Sequence, residues 1–324
     1  DLNILIRSIT QVGATLGLRA GAGIVADSVA SAQQAAGLGP RPVARARGAG
    51  LMATPRLLVD GAPRAEVSAL DRGFTYGDGL FETIRCLRSV APLWPRHMAR
   101  LAAGCARLGL PPPDAALLLA EARTVTAGMA DAVLRITLTR GPGQRGYAPP
   151  ATPAVTRVVG AFPAPAPGPE PGLALALCEL RLAEQPALAG IKHLNRLEQV
   201  LARAEWSDPA LADGVLRDGH GRVVSTISAN LFAVLDGVTV TPALDRCGVA
   251  GVARAELLAS DPAIVVRDLA FEELAGASEV FLTSSVRGIR PVLALNGWHY
   301  APGPVLRRWR QHWHDLGFPL EHRA

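Results

Sequence analysis

The chain has 324 residues, which suits two domains better than one, and its 49% hydrophobic and 19% charged residues are typical of a protein with a folded core. No apolar run reaches the roughly 20 residues that a membrane-spanning helix needs. The net charge of +5 is dispersed, without a basic run that carries aromatic residues. The composition therefore argues against membrane and nucleic-acid partners and favours a small anionic substrate.

Residues 1–51 differ in pattern from the rest of the chain. Two short apolar pieces, "DLNILIRSIT" and "GAGIVADS", are followed by residues without any periodicity. Because so little apolar material cannot form a core, we expect a poorly packed N-terminal extension.

From Met52 onward, strands and helices alternate. Apolar runs of strand length occur at "RLLVDG", "LFETIRCL" and "AVLRITLTR". Between them, residues 95–110 and 114–129 predict two helices, the second with Asp114 as its N-cap. The apolar positions at helical spacing in the first are Met98, Leu101, Cys105 and Leu108.

A proline-rich stretch, residues 161–172, can continue neither a helix nor a central strand. It predicts a linker between a small α/β domain, residues 52–160, and a larger domain, residues 173–324. Strands are expected there at "LALALCELRL", "GVLRD", "NLFAVLDG", "VTVTP" and "EVFLTSS", and helices at "GVARAELLAS" and "GPVLRRWRQHWHDLG". A further helix is expected to start near His193, with Leu194, Leu197, Leu201 and Ala204 on one face. Alternating elements on both sides of the linker indicate a two-domain α/β (α+β) chain.

The sequence contains one lysine, Lys192, among 33 Lys and Arg residues. Arginine stays protonated, whereas lysine can lose its proton and attack a carbonyl. A position just before the helix expected at His193 favours the neutral amine, because a helix N-terminus carries partial positive charge, and burial in a cleft wall would lower the lysine pKa further. We expect Lys192 to be a nucleophile; the alternative is a surface lysine retained by chance.

Two glycine-rich stretches suggest anion recognition. Residues 246–254 place Gly248 and Gly251 just before a helix, where main-chain N–H groups can meet an anion, although an ordinary tight turn has the same pattern. Residues 140–147 contain a formal GxGxxG, but the prolines that follow exclude the helix that a dinucleotide site needs. Carboxylate recognition by Arg140, Arg145 and Tyr147 is the better interpretation, with a flexible hairpin tip as the alternative.

Histidines and cysteines give no metal-ligand spacing, so no metal is expected. The cysteines form no CxxC pair and no secretory signal is found, which together indicate a reduced, cytoplasmic protein. They are Cys86, Cys105, Cys178 and Cys247.

Six segments occur in the order found in one enzyme group. They are residues 71–85, 97–101, 140–147, 190–203, 228–232 and 247–254. Together they resemble the fold-type IV pyridoxal-phosphate enzymes, and "RGPGQRGY" and "KHLNRLEQVL" resemble the 4-amino-4-deoxychorismate lyases within them. The resemblance begins at residue 52 and covers nearly all of the chain that follows. It implies a two-domain fold like that of D-amino acid aminotransferase, pyridoxal 5'-phosphate as cofactor, and a homodimer with its active site near the interface.

The resemblance also implies a reaction and roles. Aminodeoxychorismate would be converted to 4-aminobenzoate and pyruvate for folate biosynthesis, with Lys192 as the cofactor's covalent anchor and general base and Thr83 beside it. The implied cofactor ligands are Lys192, Arg100, Ser225, Val249, Ala250 and Ser284. The implied substrate-side residues are Tyr76, Arg145 and Tyr147.

One position departs from the group's pattern. The relatives carry a glutamate shortly before "NLF" that keeps the pyridine nitrogen protonated, and Ser225 stands there in this chain. We expect this change to narrow the enzyme towards lyase chemistry; the alternative is that Thr226 or a water molecule, rather than Ser225, meets the nitrogen. Residues 1–28 resemble the C-terminal end of aminodeoxychorismate synthase component I, but lack its acidic magnesium-binding residues. We interpret residues 1–51 as the remnant of a fusion or as a start assigned upstream of Met52.

Two alternatives stay open at this point. A branched-chain or D-amino acid aminotransferase of the same fold would share the lysine and most of the motifs. A silent relative would bind the cofactor or a partner without turnover.

Overall fold

The computed structural model describes residues 56–165 and 172–319, and residues 55–324 form one compact unit. The predicted extension, residues 1–51, lies outside the described residues, and so does half of the predicted linker. No helix within the described ranges is long and apolar enough to cross a membrane.

A four-stranded antiparallel sheet is built from the first part of the unit, in the order β1-β4-β3-β2. Its strands are β1 (Arg56–Val59), β2 (Gly79–Leu87), β3 (Asp131–Thr139) and β4 (Thr156–Pro163). In β3 the buried side chains alternate, and Leu134 and Ile136 are fully buried. This alternation places one face of the sheet in a core and leaves the other face for the site.

Three helices accompany this sheet, namely α1 (Arg72–Tyr76), α2 (Trp94–Leu108) and α3 (Ala115–Thr126). The predicted cap is confirmed, because the Asp114 carboxylate accepts hydrogen bonds from the main-chain N–H groups of Ala116 and Leu117. The helical face predicted for α2 is buried at Met98, Leu101 and Cys105. These side chains pack with the strands into one apolar core.

The second sheet has nine strands, in the order β10-β9-β8-β11-β12-β5-β6-β7, with β13 paired to β12. Parallel pairing joins β12 to β5, β5 to β6 and β10 to β9, while the other pairs are antiparallel. Its strands are β5 (Leu173–Leu182), β6 (Leu211–Asp218), β7 (Val223–Thr226), β8 (Asn230–Leu235), β9 (Val238–Pro242), β10 (Val265–Arg267), β11 (Glu279–Ser284), β12 (Gly288–Leu295) and β13 (Trp298–His299). The five strands predicted in this half are therefore present.

The second half also holds α4 (Leu197–Arg203), α5 (Val252–Ser260), α6 (Pro304–Asp315) and a 3-10 helix (Phe271–Gly276). The helices predicted at α5 and α6 are confirmed. The helix expected to start near His193 begins four residues later, at Leu197, because His193 instead forms a bridge with Leu80 of β2.

Two further expectations need correction. Strand β4 runs to Pro163, three residues into the predicted linker, because Pro163 and Ala161 pair with Ala132 and Leu134 of β3. Of the four residues predicted to share one helical face, only Leu197 and Leu201 lie within α4, where they are 68% and 53% exposed.

Candidate active site

A cavity of about 720 Å³ lies where β2 and α2 of the small sheet meet the loops of the large sheet. Several contacts hold the two parts together around it. The Arg100 guanidinium donates to the carbonyl oxygen of Ala250 at 3.0 Å, and the Ser285 hydroxyl donates to that of Thr83 at 2.9 Å. The cavity walls therefore come from both sheets.

Lys192 lines this cavity from an extended segment that pairs with β2. Its carbonyl oxygen accepts the Phe81 N–H at 3.0 Å, and its Nζ lies 4.4 Å from the centre of the Phe81 ring. Burial, and then the neighbouring Arg100 charge, lower the pKa of Lys192 from 10.5 to about 8. The sequence predicted this shift from a helix N-terminus and from burial in a cleft wall; burial is the larger cause, and the helix α4 starts only at Leu197.

The loop before α5 is held in place by one amide side chain. Asn230, the first residue of β8, donates to the Val249 carbonyl at 3.0 Å and accepts the Gly251 N–H at 2.9 Å. A Cβ at position 251 would lie 2.0 Å from the Asn230 oxygen, so glycine lets this loop approach Asn230 without displacing it. The same loop pairs with Gly190, two residues before Lys192. The lysine and the loop are thus positioned together.

The start of α5 can receive an anion. No side chain caps it, and Val252 and Ala253 in its first turn line the cavity. Thr283 lies there too, and its buried hydroxyl has no partner among the described residues. Of the predicted main-chain ligands, Val249 lines the cavity, whereas the Ala250 N–H is already donated to the Gly190 carbonyl. The site therefore fits a phosphate group at Arg100, Thr283 and the first turn of α5.

A buried acid positions Arg100. Glu82 is 1% exposed and accepts from both Nε and Nη2 of Arg100, and its other close partner is His97 Nδ1 at 2.6 Å. These hydrogen bonds and charges hold the pKa of Glu82 below its usual range, although burial alone would raise it. Burial lowers the pKa of His97. Neither residue was predicted from the sequence, although Glu82 lies in the motif at residues 71–85 and His97 in the motif at residues 97–101.

In the part of the chain that the structure describes, the charged side chains that line the cavity wall are all basic. Five cationic residues line it, and no Asp or Glu is among the described residues that do so. The five are Lys192, Arg100, Arg196, Arg203 and Arg287. Arg135 lies just behind, 4.2 Å from the centre of the Phe81 ring. Such a wall favours a ligand with several negative charges, such as a cofactor phosphate together with substrate carboxylates.

The hydroxyl groups expected near the cofactor divide into two sets. Thr83 and Ser284 both line the cavity. Ser225 does not line it, and its hydroxyl donates to the Thr226 carbonyl at 2.8 Å. Thr226, one residue later, is at the wall. Thr226, and not Ser225, is therefore the residue of this pair that contacts the cavity.

The predicted substrate-side residues form a separate cluster. The rings of Tyr76 and Tyr147 lie 5.6 Å apart, and the Tyr76 hydroxyl accepts the Gly146 N–H at 3.0 Å. Tyr147 is 87% exposed, Arg145 is also exposed, and none of the three predicted residues lines this cavity. The cluster belongs to the outer surface of the chain.

Arg140 does not take part in carboxylate recognition. It is buried, its Nε donates to Asp78 at 2.7 Å, and Nη1 and Nη2 donate to the Gly109 and Leu108 carbonyls. All three nitrogens of this guanidinium are therefore used within the fold, and Arg140 has a structural role. The prediction that Arg140 binds a substrate carboxylate is wrong.

Comparison with known proteins shows what this arrangement resembles. Residues 79–295 match the family described as Amino-transferase class IV. An aminodeoxychorismate lyase from Vibrio harveyi is 38% identical over 245 residues, which are 74% of this chain and 90% of the relative. A putative branched-chain-amino-acid aminotransferase from Methanocaldococcus jannaschii is 31% identical, over 72% of this chain and 84% of its own length.

Among solved structures, both lyases and branched-chain aminotransferases are similar to this chain. The crystal structure of 4-amino-4-deoxychorismate lyase from Pseudomonas aeruginosa has a TM-score of 0.75 and 48% identity, covering 80% of this chain and 98% of that one. The branched-chain aminotransferase of Thermoproteus uzoniensis has a TM-score of 0.73 at 21% identity, over 81% of this chain and 94% of that one, and shows the shared fold.

Proposed function

Since the chain belongs to the class IV aminotransferase family, whose enzymes depend on pyridoxal phosphate, we propose that it is an aminodeoxychorismate lyase. The reaction converts 4-amino-4-deoxychorismate to 4-aminobenzoate and pyruvate, by elimination of the enolpyruvyl group with cleavage of its carbon–oxygen bond. One observation carries the proposal: the single lysine, with a lowered pKa, lies in a cationic cavity of a chain 38% and 48% identical to two lyases.

Each wall of the cavity has a part in this reaction. Arg100, Thr283 and the first turn of α5 would bind the cofactor phosphate, and Lys192 would anchor the cofactor until the substrate arrives. The bound pyridoxal ring supplies an electron sink for the substrate carbon that carries the amine. Once the substrate amine has taken its place on the cofactor, the freed Lys192 amine would take the proton from that carbon and return it to the departing enolpyruvate, because a pKa near 8 leaves a useful fraction of free amine at neutral pH. Thr83 lines the same cavity and is assigned to the pocket around the lysine.

The assembly that suits this site is a homodimer in the cytoplasm. Val200 of α4 lines the cavity, and it is one of three exposed apolar side chains on that helix, with Leu197 and Leu201. A second subunit covering them would bring a protein surface to the cavity. The exposed cluster of Tyr76, Arg145 and Tyr147 would then serve the partner's cavity. Four buried free cysteines support a reducing compartment.

The deciding experiment measures pyruvate. Purified protein loaded with pyridoxal phosphate should release pyruvate and 4-aminobenzoate from aminodeoxychorismate without any keto-acid acceptor. The rival aminotransferase, favoured by the 31% identity to the Methanocaldococcus protein, instead converts the cofactor to its pyridoxamine form with branched-chain or D-amino acids. Pyridoxamine accumulation without pyruvate release from aminodeoxychorismate would replace the lyase proposal by that rival.

A further inference from the structure

Asp213 of β6 is a buried carboxylate directly behind the cavity wall, and it takes no part in the proposed reaction. It is 7% exposed. Its Oδ1 accepts the main-chain N–H groups of Gly214 at 2.8 Å and Ile227 at 3.1 Å. Its Oδ2 accepts the hydroxyls of Thr226 at 2.9 Å and Ser228 at 2.6 Å. All four contacts are donors, so both oxygens act only as acceptors, as in an ionised carboxylate.

The hydroxyls of Thr226 and Ser228 connect Asp213 to the cavity by hydrogen bonds. A hydroxyl has one proton. Ser228 gives its proton to Asp213, and Thr226 can give its own to Asp213 or to the Ala229 carbonyl at 3.1 Å. Because a charged acceptor forms the stronger bond, the Thr226 proton also goes to Asp213. Both residues line the cavity, and with their protons on Asp213 their oxygens have only lone pairs left, one of which Thr226 already uses to accept the Ala229 N–H at 3.1 Å. This patch can accept a hydrogen bond from a ligand, and a negative charge lies behind it.

A protonated ring nitrogen of a bound ligand would need a hydrogen-bond acceptor of this kind in this cavity. The wall carries five cationic residues and no acid among the described residues, which disfavours a protonated ring nitrogen. The glutamate of the resembling enzymes is absent, and the Ser225 hydroxyl that replaces it faces the Thr226 carbonyl. Asp213 is thus the carboxylate linked by hydrogen bonds to this part of the wall.

We propose that Asp213, acting through the hydroxyls of Thr226 and Ser228, is the positioning residue that keeps the ring nitrogen of the bound cofactor protonated. The inference rests on pyridoxal phosphate as the cofactor, which the proposed function also requires, but not on the lyase reaction. The charges of Glu205 and Asp213 both act on the nearby thiol of Cys178. Burial raises the pKa of this thiol to about 12, so it stays neutral and does not compete.

The test is the ¹⁵N chemical shift of the ring nitrogen, followed against pH in holoenzyme loaded with ¹⁵N-labelled pyridoxal phosphate. The native enzyme should show a protonated nitrogen at neutral pH. Asp213→Asn, and the double variant Thr226→Val with Ser228→Ala, should each lower the pKa of that nitrogen by about 1 to 3. Ser225→Ala should leave it unchanged. The dissociation constant of the cofactor, measured in parallel, shows that each variant is loaded.

A neutral nitrogen in the native enzyme, or a pKa unmoved by both Asp213→Asn and the double variant, would overturn the inference. Asp213→Asn alters two main-chain contacts, so it can fail to fold; the double variant keeps them and then decides alone. A protein that binds no pyridoxal phosphate refutes the cofactor and this inference together. Holoenzyme that only transaminates refutes the lyase proposal, while the nitrogen titration still tests Asp213.

Discussion

At the scale of single residues, Lys192 combines a chemical property and a position that no other side chain in the sequence can supply. Lys192→Arg keeps the positive charge but removes the nucleophilic amine. We expect the visible absorbance of the bound cofactor and all turnover to be lost. Arg203→Lys, which adds an amine at another point of the cavity wall, is the control and should keep the absorbance. A Lys192→Arg enzyme that remains yellow and active would refute the assignment.

The lowered pKa of Lys192 predicts how the cofactor-free protein captures pyridoxal phosphate. The free amine is the reactive form, and its fraction falls as the pH drops below about 8. The capture rate should therefore rise with pH up to about 8 and level off above it. Stopped-flow absorbance measures this rate. A rate still rising well above pH 8 would show a lysine near its ordinary pKa of 10.5.

Glu82 predicts an effect on cofactor affinity that differs from a loss of stability. Glu82→Gln breaks the paired contact that aims Arg100 into the cavity, so we expect the cofactor dissociation constant to rise roughly tenfold. Glu121→Gln is the matched control, because Glu121 is also buried and binds two nitrogens of Arg157, away from the cavity.

Both substitutions at these glutamates should lower the melting temperature, since each breaks a largely buried ion pair. Only Glu82→Gln should raise the dissociation constant of the cofactor, as measured by equilibrium fluorescence titration. Equal affinities in the two variants would assign Glu82 a purely structural role.

At the scale of elements, the site depends on the loop that links Asn230 to α5. Gly251→Ala would place a Cβ 2.0 Å from the Asn230 oxygen, which is fixed by two hydrogen bonds. We expect the loop to shift and the cofactor affinity to fall about tenfold, because each lost bond contributes roughly 0.5 to 1.5 kcal/mol. Gly276→Ala, with no atom within 4 Å of the added Cβ, should bind the cofactor normally. Unchanged affinity in Gly251→Ala would show that the loop tolerates the shift.

The elements themselves were largely predictable. Local patterns identified α2, α3, α5 and α6, because each repeats apolar residues at helical spacing between clear end signals. The start of α4 was placed wrongly because residues 193–196 have a helical pattern, whereas the main chain around His193 pairs with β2: the Lys192 carbonyl accepts the Phe81 N–H and the Leu194 N–H donates to the Gly79 carbonyl. Tertiary hydrogen bonds overrode the local preference there.

At the scale of the whole molecule, the exposed apolar face of α4 predicts association. We expect the native protein to elute as a dimer in size-exclusion chromatography with light scattering. Val200→Glu should shift it to a monomer and reduce turnover, because a charge would have to be buried at the interface. Leu117→Glu, at an exposed apolar position on α3, is the control and should stay dimeric. A native monomer with full activity would contradict the proposed assembly.

The sequence by itself determined the chemistry of this protein, because one lysine and an ordered set of motifs do not depend on three-dimensional contacts to be recognised. It could not find that Glu82 aims Arg100, that Arg140 is structural, or that Asp213 lies behind Thr226. Those facts depend on which side chains from distant strands share a face, and on which donors are already engaged. Only the tertiary structure fixes these pairings, since burial and competing hydrogen bonds decide what each polar group has left to offer a ligand.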